Sequence, residues 1–184
     1  NAFLGSLVAD SISMPVHWYY NRQSLDEDYG DFQTYCKPKT HHPDSILWRS
    51  SYSPLNSKAD ILGRQAKYWG QKGVHYHQFL ESGDNTLNLQ LASELYRDSI
   101  INGGFDPENW LKRYAPIMLT PDWHLDTYAE EYHRAFFTNY AKGKPLQSCG
   151  VPDYHIGGLS HIPALLAAME AIDQIEPSEQ LANV

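Results

Sequence analysis

The sequence predicts an all-α protein. Apolar residues recur at three- and four-residue spacing through most of the chain, and Asp, Thr, Pro and Gly punctuate those stretches where helices start and stop. No segment alternates polar and apolar residues as a strand does. With 184 residues, a single domain with a real hydrophobic core is expected.

The elements follow in order. Residues 3–12 put Leu4, Leu7 and Val8 at helical spacing, and Pro15 ends that helix. The chain starts inside this apolar segment and without Met, so the expectation is that earlier residues were trimmed. Residues 21–57 are dense in Asp, Ser, Pro, Gly, Tyr and His and have no sustained period. Loop with at most short helical turns is expected there. Over residues 59–69, Ile61, Leu62, Gln65, Ala66 and Trp69 share a helical face, and Gly73 supplies the stop. Residues 86–102 run Leu87, Leu91 and Leu95 down one face, with Leu89 and Ala92 beside it and Gly103-Gly104 after it. Asp106-Pro107 opens the next helix as cap and first-turn proline, turning Trp110, Leu111, Tyr114 and Ala115 inward. Thr127-Tyr128-Ala129-Glu130 reads as a capping box that starts a helix through Tyr140, stopping near Gly143. The last helix carries Leu165, Leu166, Met169, Ile172 and Ile175, and Pro177 is its expected end.

Composition narrows the function. A formal net charge of -8 with no basic stripe beyond Lys37-Pro38-Lys39 excludes a nucleic-acid partner. No apolar run is long enough to cross a bilayer, so no membrane partner is expected. Cys36 and Cys149 lack metal-type spacing and are too few for a disulfide scaffold. They read as free thiols, which places the protein in the cytoplasm. Nine histidines raise the question of zinc, with His41-His42 and His75-Tyr76-His77 clustered, but no HExxH or CxxC element accompanies them. No GxSxG, P-loop or dinucleotide-binding fingerprint is present.

Three places can carry chemistry. Glu81-Ser82-Gly83-Asp84-Asn85-Thr86 falls at the start of an apolar-faced helix. Unpaired N–H groups there favour an anion such as a diphosphate, and adjacent oxygens can converge on Mg²⁺. The same residues also serve a plain helix cap. Asp153-Tyr154-His155-Ile156-Gly157-Gly158-Leu159-Ser160-His161 holds paired glycines that let a ligand approach the backbone, or that simply make a turn. Asp10, near the end of the first helix, is followed by His17.

Taken together, these segments resemble the ADP-ribosylglycohydrolases. Gly5-Ser6-Leu7-Val8-Ala9-Asp10-Ser11-Ile12-Ser13-Met14-Pro15-Val16-His17 is similar to that family's opening Gly-Asp-Ala-x-Gly-x-Pro segment. Glu81-Ser82-Gly83-Asp84-Asn85-Thr86 resembles its Glu-x-Thr-Asp-Asp-Thr motif, and Gly157-Gly158-Leu159-Ser160-His161-Ile162-Pro163 its glycine-containing ligand loop. The wording of Pro15-Val16-His17-Trp18-Tyr19-Tyr20 and Gly83-Asp84-Asn85-Thr86 is nearest the branch that holds selenoprotein J and the jellyfish J-type crystallins.

The resemblance implies an orthogonal helical bundle, of which residues 1–184 form the N-terminal part of one domain. It implies hydrolysis of the glycosidic bond between ADP-ribose and a protein or small-molecule acceptor, assisted by two Mg²⁺ ions. Carried onto this sequence, Asp84 and His17 take the catalytic positions, and Asp84, Asn85 and Gly83 the metal positions. Gly157, Gly158, His161 and Asp10 bind ligand. The sequence departs from the family pattern at four of these positions. His17 stands at the family's Glu, Gly83 at its Thr, Asn85 at its second Asp, and His161 at its loop Arg. Asn85 offers an uncharged carbonyl, and His17 suits softer metals than Mg²⁺. The remaining ligands would come from an Asp-x-Asp-Thr motif beyond residue 184. The alternative reading is a catalytically inactive relative, either an ADP-ribose- or nucleotide-binding module or a crystallin-like structural protein.

Overall fold

A computed structural model describes residues 2–182, and within them the protein is all-helical. Six α-helices are α1 (Ala2–Ser13), α2 (Arg22–Asp28), α3 (Leu87–Ile101), α4 (Pro107–Leu119), α5 (Glu131–Ala141) and α6 (Ile162–Ala182). Short 3₁₀ turns link them, and there is no strand among the described residues. No helix there is long and apolar enough to cross a membrane.

The central element is α3, because its sequence is apolar on two sides. Leu87 and Leu91 enter the main core with Leu47, Tyr76, Tyr114, Met118 and Phe137. Leu89 and Ala92 enter a second, smaller core with Phe3 of α1 and Ala164 of α6. Gly103, at φ +65°, lets the chain leave α3 in the left-handed region that only glycine enters without strain. Asp106 caps α4 as its sequence predicts, accepting bonds from the Glu108 and Asn109 N–H groups. The 21–57 stretch is mainly loop, as its lack of period predicts, and its longest helix is the seven-residue α2.

Four expectations need correction. Residues 59–69 form 3₁₀ turns at Ser57–Ala59 and Gly63–Tyr68 instead of an α-helix. Their apolar set is still inward, with Ile61, Leu62, Gln65 and Trp69 buried. Local polar competition explains the change. Tyr52 Oη bonds the Ala59 carbonyl and the Ile61 N–H, Asp60 takes the Gly63 N–H, and Gly63 sits at φ +50°. The capping box at Thr127 does not form, and the helix begins later, after Glu130. Thr127 is fully buried and spent on tertiary bonds. Its N–H donates to the Tyr76 carbonyl, its carbonyl accepts Trp69 Nε1–H at 2.7 Å, and its hydroxyl accepts from Gln78.

The third correction is at α6, which continues through Pro177, a residue that removes one backbone donor without ending the helix here. The fourth concerns which faces are covered. Leu4, Val8, Leu166 and Met169 are exposed, and Phe3, Leu89, Ala92 and Ala164 make the contact between α1, α3 and α6 instead. The Ile175 side chain lies outside the described residues.

Candidate functional site

The site gathers around the N-terminus of α3, where four backbone N–H groups lack helical partners. Thr86 is the N-cap residue, but its side chain does not cap the helix. Two carboxylates from distant segments do so instead. Asp10 of α1 accepts from the Thr86 N–H at 2.7 Å, the Thr86 hydroxyl at 2.8 Å and the Asn85 amide at 3.0 Å. Asp126, fully buried, accepts from the Leu87 N–H. Both negative charges sit at the positive end of the helix dipole, which stabilises them. At this helix end the protein's own pair of carboxylates therefore supplies negative charge, and the Thr86 and Leu87 N–H groups are already satisfied.

From Asp126 a relay of histidines leads outward. Asp126 is hydrogen-bonded to His77 Nδ1, and His77 Nε2 lies 2.8 Å from His17 Nδ1. Hydrogen bonding assigns the tautomers. His77 donates from Nδ1 to the carboxylate, so its Nε2 accepts the Nδ1–H of His17. That leaves the Nε2 lone pair of His17 as a base. Burial, followed by the nearness of His77, lowers the His17 pKa to about 4, with Asp126 pulling the other way, so the ring is neutral at pH 7.

Two of the clustered histidines, His75 and His42, act as pins. His75 Nε2 donates to the Pro15 carbonyl at 2.8 Å, and its Nδ1 accepts the His77 N–H. His42 Nε2 donates to the His17 carbonyl at 2.8 Å, and its Nδ1 accepts the Asp44 N–H. Both ring nitrogens of each are occupied, and the Nε2–H of each holds the Pro15–His17 segment. Just after it, Trp18 adopts φ +68°, a left-handed conformation that costs a bulky residue of order 1–3 kcal/mol. The strain is offset by aromatic packing. Trp18 stacks on Tyr76 at 4.9 Å and meets Tyr128 edge-on at 5.8 Å.

These parts enclose a cleft of about 280 Å³, lined by His17, Trp18, His77, Asn88, Tyr128 and Glu130 among others. Glu130 is its second acid. Burial, first, raises the Glu130 pKa, opposed by the Asn88 amide that donates to Oε1 at 3.4 Å. Gly157 packs directly on this carboxylate, since a Cβ there would lie 2.9 Å from Oε1.

The residues singled out from sequence divide between places. Asn85, Asp10 and Thr86 are joined by hydrogen bonds, and His17 lies in the cleft. Asp84 and Gly83 are exposed and line a different hollow with Asn85 and Arg97. Asp84 accepts the Glu81 N–H of its own turn at 2.8 Å. Gly157 reaches the cleft's edge through Glu130, whereas Gly158 and His161 line a separate apolar cavity. His77 and Asp126 carried no motif, and Glu130 entered only as the last residue of the expected capping box. The only other sequence signal was the His75-Tyr76-His77 cluster.

Among the described residues the donor set does not fit two Mg²⁺ ions. A dinuclear site needs several carboxylates converging on near-octahedral geometry. Here Asp10 and Asp126 already accept from helix N–H groups and neighbours, and Asp84 accepts from its own turn. Among the described residues no group of three or more His, Cys, Asp or Glu is arranged to hold a metal. The class defined so far is an all-helical protein with a histidine–carboxylate cleft. Comparison with protein-family models, with curated proteins and with solved structures found no match for this chain.

Proposed function

We propose that the chain is an ADP-ribosylglycohydrolase-type protein that takes an ADP-ribosyl compound in the His17 cleft and cleaves its glycosidic bond by acid–base chemistry. The observation that carries the reading is the Asp126–His77–His17 relay opening into a cleft that also holds a raised-pKa carboxyl, Glu130. The sequence resemblance supplies the substrate class, and a cytoplasmic setting suits the free thiols at Cys36 and Cys149. In the step proposed, His17 Nε2 takes a proton from water as the water oxygen bonds to the anomeric carbon. The bond from that carbon to the acceptor breaks, and Glu130 delivers its proton to the departing atom. Asp126 stabilises the cation that the two histidines then share. Trp18 and Tyr128 offer flat aromatic faces for a sugar or base.

A second reading, a relative that binds ADP-ribose without turnover, rests on the departures from the family's metal-binding residues at His17, Gly83 and Asn85. Calorimetry with ADP-ribose, together with a release assay on an ADP-ribosylated peptide, separates the two. Binding with release that falls at least about 100-fold in His17→Ala supports hydrolysis, the range expected for a positioned acid–base group. Binding without release supports the second reading. Failure to bind ADP-ribose refutes both.

A further inference from the structure

A second cavity, of about 380 Å³, lies between α3, α4, α5 and the Gly150–His161 stretch, and shares no lining residue with the cleft. Its walls are Leu95, Phe105, Trp110, Leu111, Phe136 and Leu165. Its polar end is Tyr114, Tyr132, His133 and His161, and among the described residues no Asp, Glu, Lys or Arg lines it. The rim is apolar as well, with Phe105, Val151 and Ile162 exposed there.

We propose that this cavity is a second ligand site, that it takes an uncharged aromatic molecule, and that its occupancy is felt in the cleft through Asn88. Three observations point to that class. The aromatic side chains give flat faces for stacking, and the volume matches the lower end of small-molecule pockets. With no charged lining, an ionised ligand would lose its hydration with no counter-charge to replace it. The two histidines do not supply one, since burial lowers His133 to about 3 and His161 to about 4, leaving both neutral at pH 7.

The link to the cleft is a continuous run of hydrogen bonds. The Tyr114 hydroxyl donates to His133 Nδ1 at 2.6 Å, and His133 Nε2 donates to Asn88 Oδ1 at 3.2 Å. The Tyr132 hydroxyl donates to the same Oδ1 at 2.9 Å. The Asn88 amide then donates to Glu130 Oε1 in the cleft. A ligand that reorients Tyr114 or Tyr132 changes the bonds that position Asn88, and with it Glu130.

Fluorescence titration with phenylnaphthylamine, an uncharged aromatic probe, tests the site, and the Asn88 side-chain amide resonances test the link. Gly150 lines the cavity, and a Cβ there meets nothing within 4 Å, so Gly150→Leu adds bulk at the cavity wall from a position where a side chain can start. The expected result is saturable one-site binding that moves the Asn88 resonances and weakens at least roughly tenfold in Gly150→Leu. Leu165→Trp makes the same comparison if the first variant does not fold. Absence of saturable binding, or equal binding by wild type and a folded cavity-filling variant, overturns the site. Tighter binding of the anionic analogue anilinonaphthalene sulfonate overturns the ligand class. Saturation with unmoved Asn88 resonances overturns the link. None of these outcomes depends on whether the cleft turns over ADP-ribose.

Discussion

Asp10→Ala removes the acceptor of three hydrogen bonds while changing nothing inside α3 itself. The side chain accepts the Thr86 N–H at 2.7 Å, the Thr86 hydroxyl at 2.8 Å and the Asn85 amide at 3.0 Å. Thr86 is buried, so its N–H and hydroxyl lose their partner where water does not readily replace it. An unsatisfied buried donor costs about 1–3 kcal/mol, and loss of an N-cap acceptor by itself typically costs about 1 kcal/mol. Asn85 keeps two other acceptors, the Leu7 carbonyl and Ser11 Oγ, so its share of the loss is small. Together these give a loss of about 3 kcal/mol, or a fall in Tm of roughly 6–12 °C for a chain of this size. Urea unfolding followed by circular dichroism, with a thermal melt beside it, measures both. Asp10→Asn keeps one carbonyl acceptor and is expected to lose about half as much. A loss below about 1 kcal/mol for Asp10→Ala would refute the idea that a remote carboxylate caps α3. Asp84→Ala is the natural contrast: Asp84 is exposed, accepts one bond within its own turn, and is expected to cost about 1 kcal/mol at most.

Stability is expected to fall with acidification well above the carboxylate range. His17, His75, His133 and His161 have folded-state pKa values of about 4, 3, 3 and 4, below the ordinary 6.5, each mainly through burial. The unfolded chain therefore binds more protons as pH drops below 6.5, and the loss continues until the folded values are reached. Each such histidine contributes up to about 1.4 kcal/mol per pH unit in that window, and urea unfolding at pH 7 and pH 5 that gave equal stabilities would contradict the burial assigned to them. Gly73→Ala is expected to be more damaging than Gly103→Ala. Both sites have positive φ, which costs Ala roughly 1–2 kcal/mol, but only at Gly73 would the Cβ meet a neighbour, the His41 ring at 2.8 Å. Equal melting temperatures for the two variants would count against that contact. Calorimetric titration with Mg²⁺ is expected to show weak binding at most, and tight binding of two ions per chain would overturn the mismatch between ion pair and donor set.

Much of the architecture was legible because its causes are local. Helix α3 follows from the spacing of Leu87, Leu91 and Leu95, and α4 from Asp106-Pro107, signals that act within one or two turns. Where equally local signals failed, a competing hydrogen-bond partner, local or tertiary, displaced them. Thr127 had the sequence of a capping box but was drawn into bonds with Tyr76, Trp69 and Gln78. The stretch 59–69 kept its inward face yet lost its α-helix to Tyr52, Asp60 and a left-handed Gly63.

The sequence by itself determined the all-helical class and the position of the α3 N-terminus. Only the tertiary structure decided what fills that helix end and what faces the cleft. The His17–His77 contact spans 60 positions and the His77–Asp126 contact spans 49, so neither has a period or a spacing to betray it. The helix end asks only for negative charge or an oxygen acceptor. A capping side chain, a bound diphosphate and a carboxylate from another segment all satisfy that demand, and the packing of α1 and of the Leu125-Asp126-Thr127 stretch against α3 selects among them.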